Sequence, residues 1–175
     1  AHASLPREAA GAFRYGRAWF EGFMRAIFTD ELGLSSASLP GVEDELFTRF
    51  ADARTFHVFP DARELLARAR AAGLSIAVVS NWSEALEGLV RDLDLDVDAV
   101  LSSAVLRSET PEAELFQRAL EEVGAAPEEA VHVGDSPRND VEGARAVGIR
   151  AVLLDRAGRA PRGTAAVRSL AEVGL

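Results

Sequence analysis

Lysine and cysteine are both missing from this 175-residue chain. Without cysteine there is no disulfide and no thiolate metal site. Without lysine, all 19 basic residues are arginine, and the only ammonium group on offer is the N-terminus. A GC-rich genome, which favours arginine codons, is a sufficient reason for that choice. No apolar run approaches the length needed to span a bilayer. The segment Ala1-His2-Ala3-Ser4-Leu5-Pro6-Arg7 lacks the apolar centre of a signal peptide, so a cytoplasmic protein is expected. No arginine-rich block stands out, and the formal charge is −9. Neither nucleic acid nor a membrane is therefore expected as a partner. What the chain does have is apolar content, 48% of its residues, ample for the core of one domain or one domain plus a small insert.

The N-terminal third is aromatic-rich. Of nine Phe, two Trp and one Tyr, six lie before residue 29. Phe13, Trp19, Phe20, Phe23, Ile27 and Phe28 recur near helical spacing, which predicts a helix over residues 8–32 with Gly33 as its stop. The aromatic face is either core-facing or a partner interface. A second helix is expected from about Val42 to Ala53, after Pro40-Gly41. The pattern then changes. Pro60 and Asp61 open an amphipathic helix that Gly73 closes. Short apolar strands are expected at residues 75–79, 99–101, 130–133 and 151–154. Helices are expected between them, at about Ser83 to Leu93, Pro111 to Val123 and Asp140 to Val147. A last short helix is expected near Ala166 to Glu172.

Short apolar strands alternating with helices predict an α/β fold with a Rossmann-like parallel sheet and helices on both faces. The two leading helices stand outside this alternation. They predict a helical cap-like region over residues 1–55, followed by an α/β core over residues 56–175.

Three segments carry chemistry. Ser80-Asn81 offers a hydroxyl and an amide at a strand end, beside the amides of the next helix, an arrangement that suits an oxyanion. Asn81 and Ser83 are also good helix caps, and both readings can hold together. Asp135 ends a strand and Asp140 follows near a helix start, placing paired acids at the carboxyl edge of the sheet, where such folds bind ligands. Asp140 could equally cap its helix while Asp135 shapes a turn. His132 reads as a packing or sheet-face residue, and Trp82 either walls a pocket or packs.

From about residue 56 to 157 the chain resembles the haloacid dehalogenase-like (HAD) hydrolase superfamily, in its phosphatase-type branch. The resemblance rests on Val78-Val79-Ser80-Asn81, on Thr110-Pro111-Glu112-Ala113-Glu114-Leu115-Phe116, and on Gly134-Asp135-Ser136 through Asp140, followed by Glu142-Gly143-Ala144 and Gly148. It implies that Ser80, Asn81 and Thr110 contact the phosphate of a small phosphorylated ligand. It also implies that Asp135 ligates magnesium and that Asp140 supports the metal's water shell.

Two departures stand out. The second segment begins in the family with lysine, and here that position is Thr110, which carries no charge. Arg107, three residues away, is a candidate substitute, although its planar fork differs from a compact ammonium. The family's first strand, carrying the Asp-x-Asp nucleophile motif, has no counterpart. Asp30, Asp44 and Asp52 fall in or just after expected helices, so no catalytic nucleophile is assigned. In the family that strand is central, between those resembling residues 75–79 and 130–133. Its absence would leave two rows of unpaired backbone groups. The flanking strands could close up, another segment could fill the place, or a strand could come from outside, including from further natural sequence. Two functions stay open: a catalytically inactive binding or interaction module, expected to self-associate, or a magnesium-dependent phosphatase of a small phosphate ester whose nucleophile strand lies upstream.

Overall fold

The computed structural model describes residues 8–9, 12–35, 41–160 and 164–175. Ala1 to Arg7 and Pro40, read above from sequence alone, lie outside them. The first helix starts later than its aromatic spacing predicts. Glu8–Ala9 (β1) and Ala12–Phe13 (β2) pair antiparallel instead. Tyr15 then adopts a positive φ of 72°, and Gly16 is extended. No helix runs through a left-handed residue, so α1 spans only Arg17–Ala26 and continues as a π-turn over Ile27–Glu31. Gly33, at φ +66°, lies just beyond it.

Helix α2 spans Val42–Phe50 and packs on α1. Much of the aromatic load is absorbed here. Trp19 is 2% exposed and stacks on Phe23 at 5.2 Å, while Phe20 lies 5.4 Å from Phe47 and 5.3 Å from Phe50. Phe50 then stacks on Trp82 at 4.3 Å, joining the helical region to the α/β part.

The α/β part follows the expected alternation. Helix α3 (Pro60–Ala71) opens on a proline, which has no N–H to leave unsatisfied. It is followed by β3 (Ala77–Ser80), α4 (Leu86–Asp92) and β4 (Ala99–Ser102). A four-residue helix α5 (Ser103–Leu106), not anticipated, precedes α6 (Ala113–Val123), which ends at Gly124 in the left-handed region. Then come β5 (Val131–Gly134), a π-turn over Pro137–Glu142 that runs into α7 (Gly143–Ala146), and β6 (Arg150–Leu154). The expected C-terminal helix is in fact a strand, β7 (Ala166–Val167), and a single 3-10 turn at Leu170–Glu172. Seven residues with Ser169 and Glu172 closing a capping box are too short for a strand and a longer helix both. No described helix is long and apolar enough to cross a membrane.

All pairings in this part are parallel, but the sheet falls into two pieces. Strand β3 pairs with β4, Ala77 opposite Ala99 through Ser80 opposite Ser102. Strand β5 pairs with β6, and β6 with β7. Among the described residues nothing pairs with the free edges of β3 and β5. The two strands have not closed up. Between them lies a cavity of about 480 Å³, walled by Ala77 and Val79 of β3, Val131 and His132 of β5, Leu66 of α3 and Phe116 of α6.

Helix α6 holds the halves together. Leu115 and Ala119 pack on Leu101 of the β3–β4 piece. Phe116 and Leu120, one position further round, pack on Ala144 and Ile149 of the β5 side. A polar tie reinforces this at the far side. Asp61 of α3 accepts from both terminal nitrogens of Arg156 at 2.8 and 2.9 Å, from the Ser169 hydroxyl at 2.7 Å and from the Leu170 amide at 2.9 Å. The Arg156 hydrogen bonds first, then the Ser169 hydroxyl, hold the Asp61 carboxyl well below the ordinary carboxylate range, against an opposing effect of burial. A depressed folded-state pKa means that the stabilisation is complete above the unfolded value, about 3.9, and is lost as pH falls towards the folded one. Asp61→Asn is therefore expected to lower the thermal midpoint by a constant amount from neutral pH down to about pH 4, with the gap narrowing below that. Thermal unfolding of both proteins across this range checks it. A gap that stays unchanged in strong acid would show that the charge of Asp61 is not what ties α3 to the C-terminal segment.

Candidate functional site

The residues singled out from sequence gather at the carboxyl ends of the two strands that border the cavity. On one side, β3 ends at Ser80. Its hydroxyl has no hydrogen-bond partner among the described residues. Asn81 follows and pairs with Thr110, 29 residues on. The Asn81 amide nitrogen donates to Thr110 Oγ1 at 2.9 Å, and the Thr110 amide donates to Asn81 Oδ1 at 2.9 Å. Thr110 is buried. Two of the three expected phosphate contacts are thus locked in a reciprocal pair that fixes the loop before α6 against the end of β3. The position expected to carry lysine is filled by a neutral group bound to a neutral partner.

Trp82, next in sequence, is clamped by a residue that sequence reading passed over. The Ser103 hydroxyl accepts from the Trp82 amide at 3.1 Å and donates to the Trp82 carbonyl at 3.3 Å, and Ser103 is completely buried. The only sequence cue was a pair of serines directly after an apolar strand. The Trp82 indole N–H is buried without a hydrogen-bond acceptor among the described residues. Arg107 is not brought to Asn81 or Thr110 by any contact described. It has φ 56°, and its guanidinium lies 5.9 Å from the centre of the Phe13 ring. Arg14 instead reaches Glu109, the neighbour of Thr110, at 3.4 Å.

On the other side, β5 ends at Gly134. Ser136 caps the following turn by accepting from the Asn139 amide at 3.1 Å, with Pro137 at the first helical position. The cap is therefore Ser136 rather than Asp140. Asp140 lies one turn in, and its carboxylate folds back to accept from the Ser136 amide at 2.8 Å. Its second oxygen lies 3.3 Å from His132 Nε2. Burial pushes the Asp140 carboxyl up. The hydrogen bond from His132 and the amides of Ser136 and Asp135 outweigh this, leaving it below the ordinary range. His132, edge-on to Phe116 at 5.1 Å, is thus the hinge between the α6 core and the acidic turn. Asp135 is exposed, and its side chain has no partner among the described residues. Gly134 is required here because a Cβ at this position would overlap the Asp140 carboxylate.

The two uncommitted groups, Ser80 at the end of β3 and Asp135 directly after β5, therefore stand on either side of the cavity. Among the described residues no three acidic or histidine side chains cluster tightly enough to hold a metal ion. The donor type still fits magnesium, a hard cation that is usually held by one or two carboxylates together with water and substrate phosphate. The repeated acids Asp92, Asp94, Asp96 and Asp98 form Asp-x-Asp patterns but sit at the opposite, amino end of β4. Asp96 and Asp98 are bound by Arg70 there, at 2.9 and 2.6 Å, so they brace α3.

The haloacid dehalogenase-like hydrolase family matches residues 7–148, and the chain belongs to that family. A phosphoserine phosphatase of Thermus thermophilus is 34% identical over 146 residues, 79% of this chain and 57% of that protein. The haloacid dehalogenase-like hydrolase domain-containing protein 3 of Danio rerio is 32% identical over 151 residues, 81% of this chain and 62% of the relative. The chain thus spans less than two thirds of the length of these curated relatives. In fold it is similar to the crystal structure of a HAD phosphatase from Thermococcus onnurineus, with a TM-score of 0.68 at 24% identity over 87% of this chain and 86% of that one.

Three substitutions probe the geometry. Asn81→Ala and Thr110→Val, combined in a double-mutant cycle, are expected to show a coupling of about 0.5–3 kcal/mol in unfolding free energy, as for groups in direct contact. Additivity within error would mean that the pair is not formed. Gly134→Ala is expected to cost about 1–3 kcal/mol, because the methyl must displace the Asp140 carboxylate. Denaturant unfolding measures it, and a neutral effect would refute the close approach.

Proposed function

We propose that these residues form the ligand-holding part of a phosphatase-type family member. The ligand is a small phosphorylated molecule whose phosphate is received by Ser80, Asn81 and the loop of Thr110. Asp135 and Asp140 would hold magnesium through oxygen donors, and the ion would supply compensation for charge on the phosphoryl oxygens. The 175 residues alone are a binding module without turnover. The covalent mechanism that the family resemblance implies uses a carboxylate nucleophile on the first strand, and no acid of the described residues is assigned to that place. Turnover requires a strand in the cavity between β3 and β5, bringing an aspartate to the same edge. The observation that carries this reading is the pair of unpartnered strand edges facing one cavity, with an uncommitted hydroxyl and an uncommitted carboxylate at their carboxyl ends. The chain covers 57% and 62% of the two curated relatives named above.

The test is complementation. The 175-residue chain is expected to hydrolyse p-nitrophenyl phosphate with magnesium no faster than buffer. Extending it upstream with a strand of the hydrophobic-Phe-Asp-x-Asp-Gly-Thr type is expected to create magnesium-dependent turnover. That turnover should vanish when the first aspartate of the added strand becomes asparagine. It should fall by about a hundredfold with Asp135→Asn. Turnover by the unextended chain that Asp135→Asn abolishes would refute the binding-module reading.

A further inference from the structure

The helical region and the end of β3 enclose a second cavity, of about 550 Å³, within the range of small-molecule sites. Its walls are the rings of Tyr15, Trp19, Phe20, Phe23, Phe50 and Trp82. Trp82 directly follows Asn81, so this pocket adjoins the groups assigned to the phosphate. Most of the polar groups on its walls are engaged, and the buried Trp82 indole N–H is left as a donor without an acceptor among the described residues. The Thr55 hydroxyl donates to the Arg49 and Asp52 carbonyls at 3.0 and 2.8 Å. The Ser83 hydroxyl accepts from the Ala85 amide at 3.3 Å. The Arg49 guanidinium is held by Glu45 at 2.7 Å, and the Tyr15 hydroxyl interacts with Arg14. Few groups remain to recognise the ammonium and carboxylate of an amino acid, or the hydroxyls of a sugar: among the wall residues no acid is present to hold an ammonium. Leaving such groups unpaired in an apolar pocket is costly. Flat rings, by contrast, find stacking partners on several sides.

We propose that this pocket receives the flat, apolar portion of a phosphate ester, so that the ligand class is aryl or similarly hydrophobic phosphates rather than phosphorylated amino acids or sugars. The proposal rests on the reading that Ser80, Asn81 and Thr110 hold the phosphate, and it adds the specificity of the other end. It differs from what the name of the Thermus thermophilus relative states of that protein, whose substrate is an amino-acid phosphate.

Both tryptophans of the chain line the pocket, so intrinsic fluorescence reports on its occupation. Four probes separate the two ends of the site: 1-naphthyl phosphate, 1-naphthol, phosphoserine and inorganic phosphate, titrated into the full 175-residue chain by fluorescence and calorimetry. The expected result is that 1-naphthol quenches tryptophan emission, and that 1-naphthyl phosphate binds about tenfold tighter than phosphoserine. Phe50→Ser, a change at a residue 38% exposed, is expected to remove the response to 1-naphthol. The comparison of the four probes on the wild-type chain stands independently of how that variant folds. Absence of any response to 1-naphthol, or phosphoserine binding as tightly as 1-naphthyl phosphate, would overturn the proposal. If 1-naphthol binds but the phosphate group adds nothing to its affinity, the aromatic pocket is supported and the phosphate assignment falls instead.

Discussion

Helix α6 is the constraint on which the architecture depends. A parallel sheet normally gains its continuity from backbone hydrogen bonds between every pair of neighbours. Here that continuity is interrupted between β3 and β5, and side-chain packing replaces it. Two adjacent stripes of one helix do the work: Leu115 with Ala119, and Phe116 with Leu120. Residues four apart lie on one face and a one-residue shift turns about 100°, so a single helix can present one stripe to each half. Leu115 is 0% and Phe116 1% exposed, the largest fully buried side chains among the described residues. The helix fixes the separation of the half-sheets without filling the space between them.

The site inherits its geometry from that arrangement. Ser80 and Asp135 stand at one edge because Ser80 ends, and Asp135 directly follows, a strand that α6 packs. The contacts that set their surroundings are short-range and local to one half: Asp140 to Ser136 and His132 on one side, Asn81 to Thr110 on the other. Thr110 lies at the start of the segment leading into α6, so the bridge and the loop proposed to receive the phosphate are consecutive. A movement of α6 relative to β3 would strain the Asn81–Thr110 pair directly.

Much of this was legible in the sequence, and the reasons for the remainder are physical. Apolar runs bounded by glycine or a cap located β3, β4, β5 and β6 to within one or two residues, because a buried parallel strand must be apolar throughout. The order of the strands, and hence the gathering of Ser80, Asn81, Thr110, Asp135 and Asp140 at one edge, followed from the alternation and the family resemblance. The start of α1 was not legible. Aromatic spacing continued through Phe13, and nothing in a tyrosine announces a positive φ at position 15. The pairing of Asn81 with Thr110 and the clamp of Ser103 on Trp82 join residues 29 and 21 apart, and no local pattern encodes them. The π-turn at Pro137 moved the helix start three residues ahead of Asp140 because Ser136, not the acid, supplies the cap. No local pattern shows that Arg70 holds both Asp96 and Asp98, 26 and 28 residues away.

The replacement of a charged position by Thr110 has an electrostatic consequence. A fixed ammonium at that position would give the ligand edge a permanent positive charge and would have to be desolvated when the loop packs against β3. The Asn81–Thr110 pair makes the same loop contact with neutral groups, so the loop is ordered without any anion present. What the edge loses is attraction. With Asp135 exposed, Asp140 kept ionised by His132 and backbone amides, and a chain whose formal charge is −9, a free phosphate dianion approaches an edge of like sign. Affinity for the proposed ligand would then come from elsewhere, and two sources are compatible with the structure. One is a divalent cation at the acids, which reverses the local sign. The other is apolar burial beside Trp82, which does not depend on charge at all. Under the proposed reading the neutral loop and the aromatic pocket are complementary: the weaker the pull on the phosphate, the more of the binding energy would fall to the rest of the ligand.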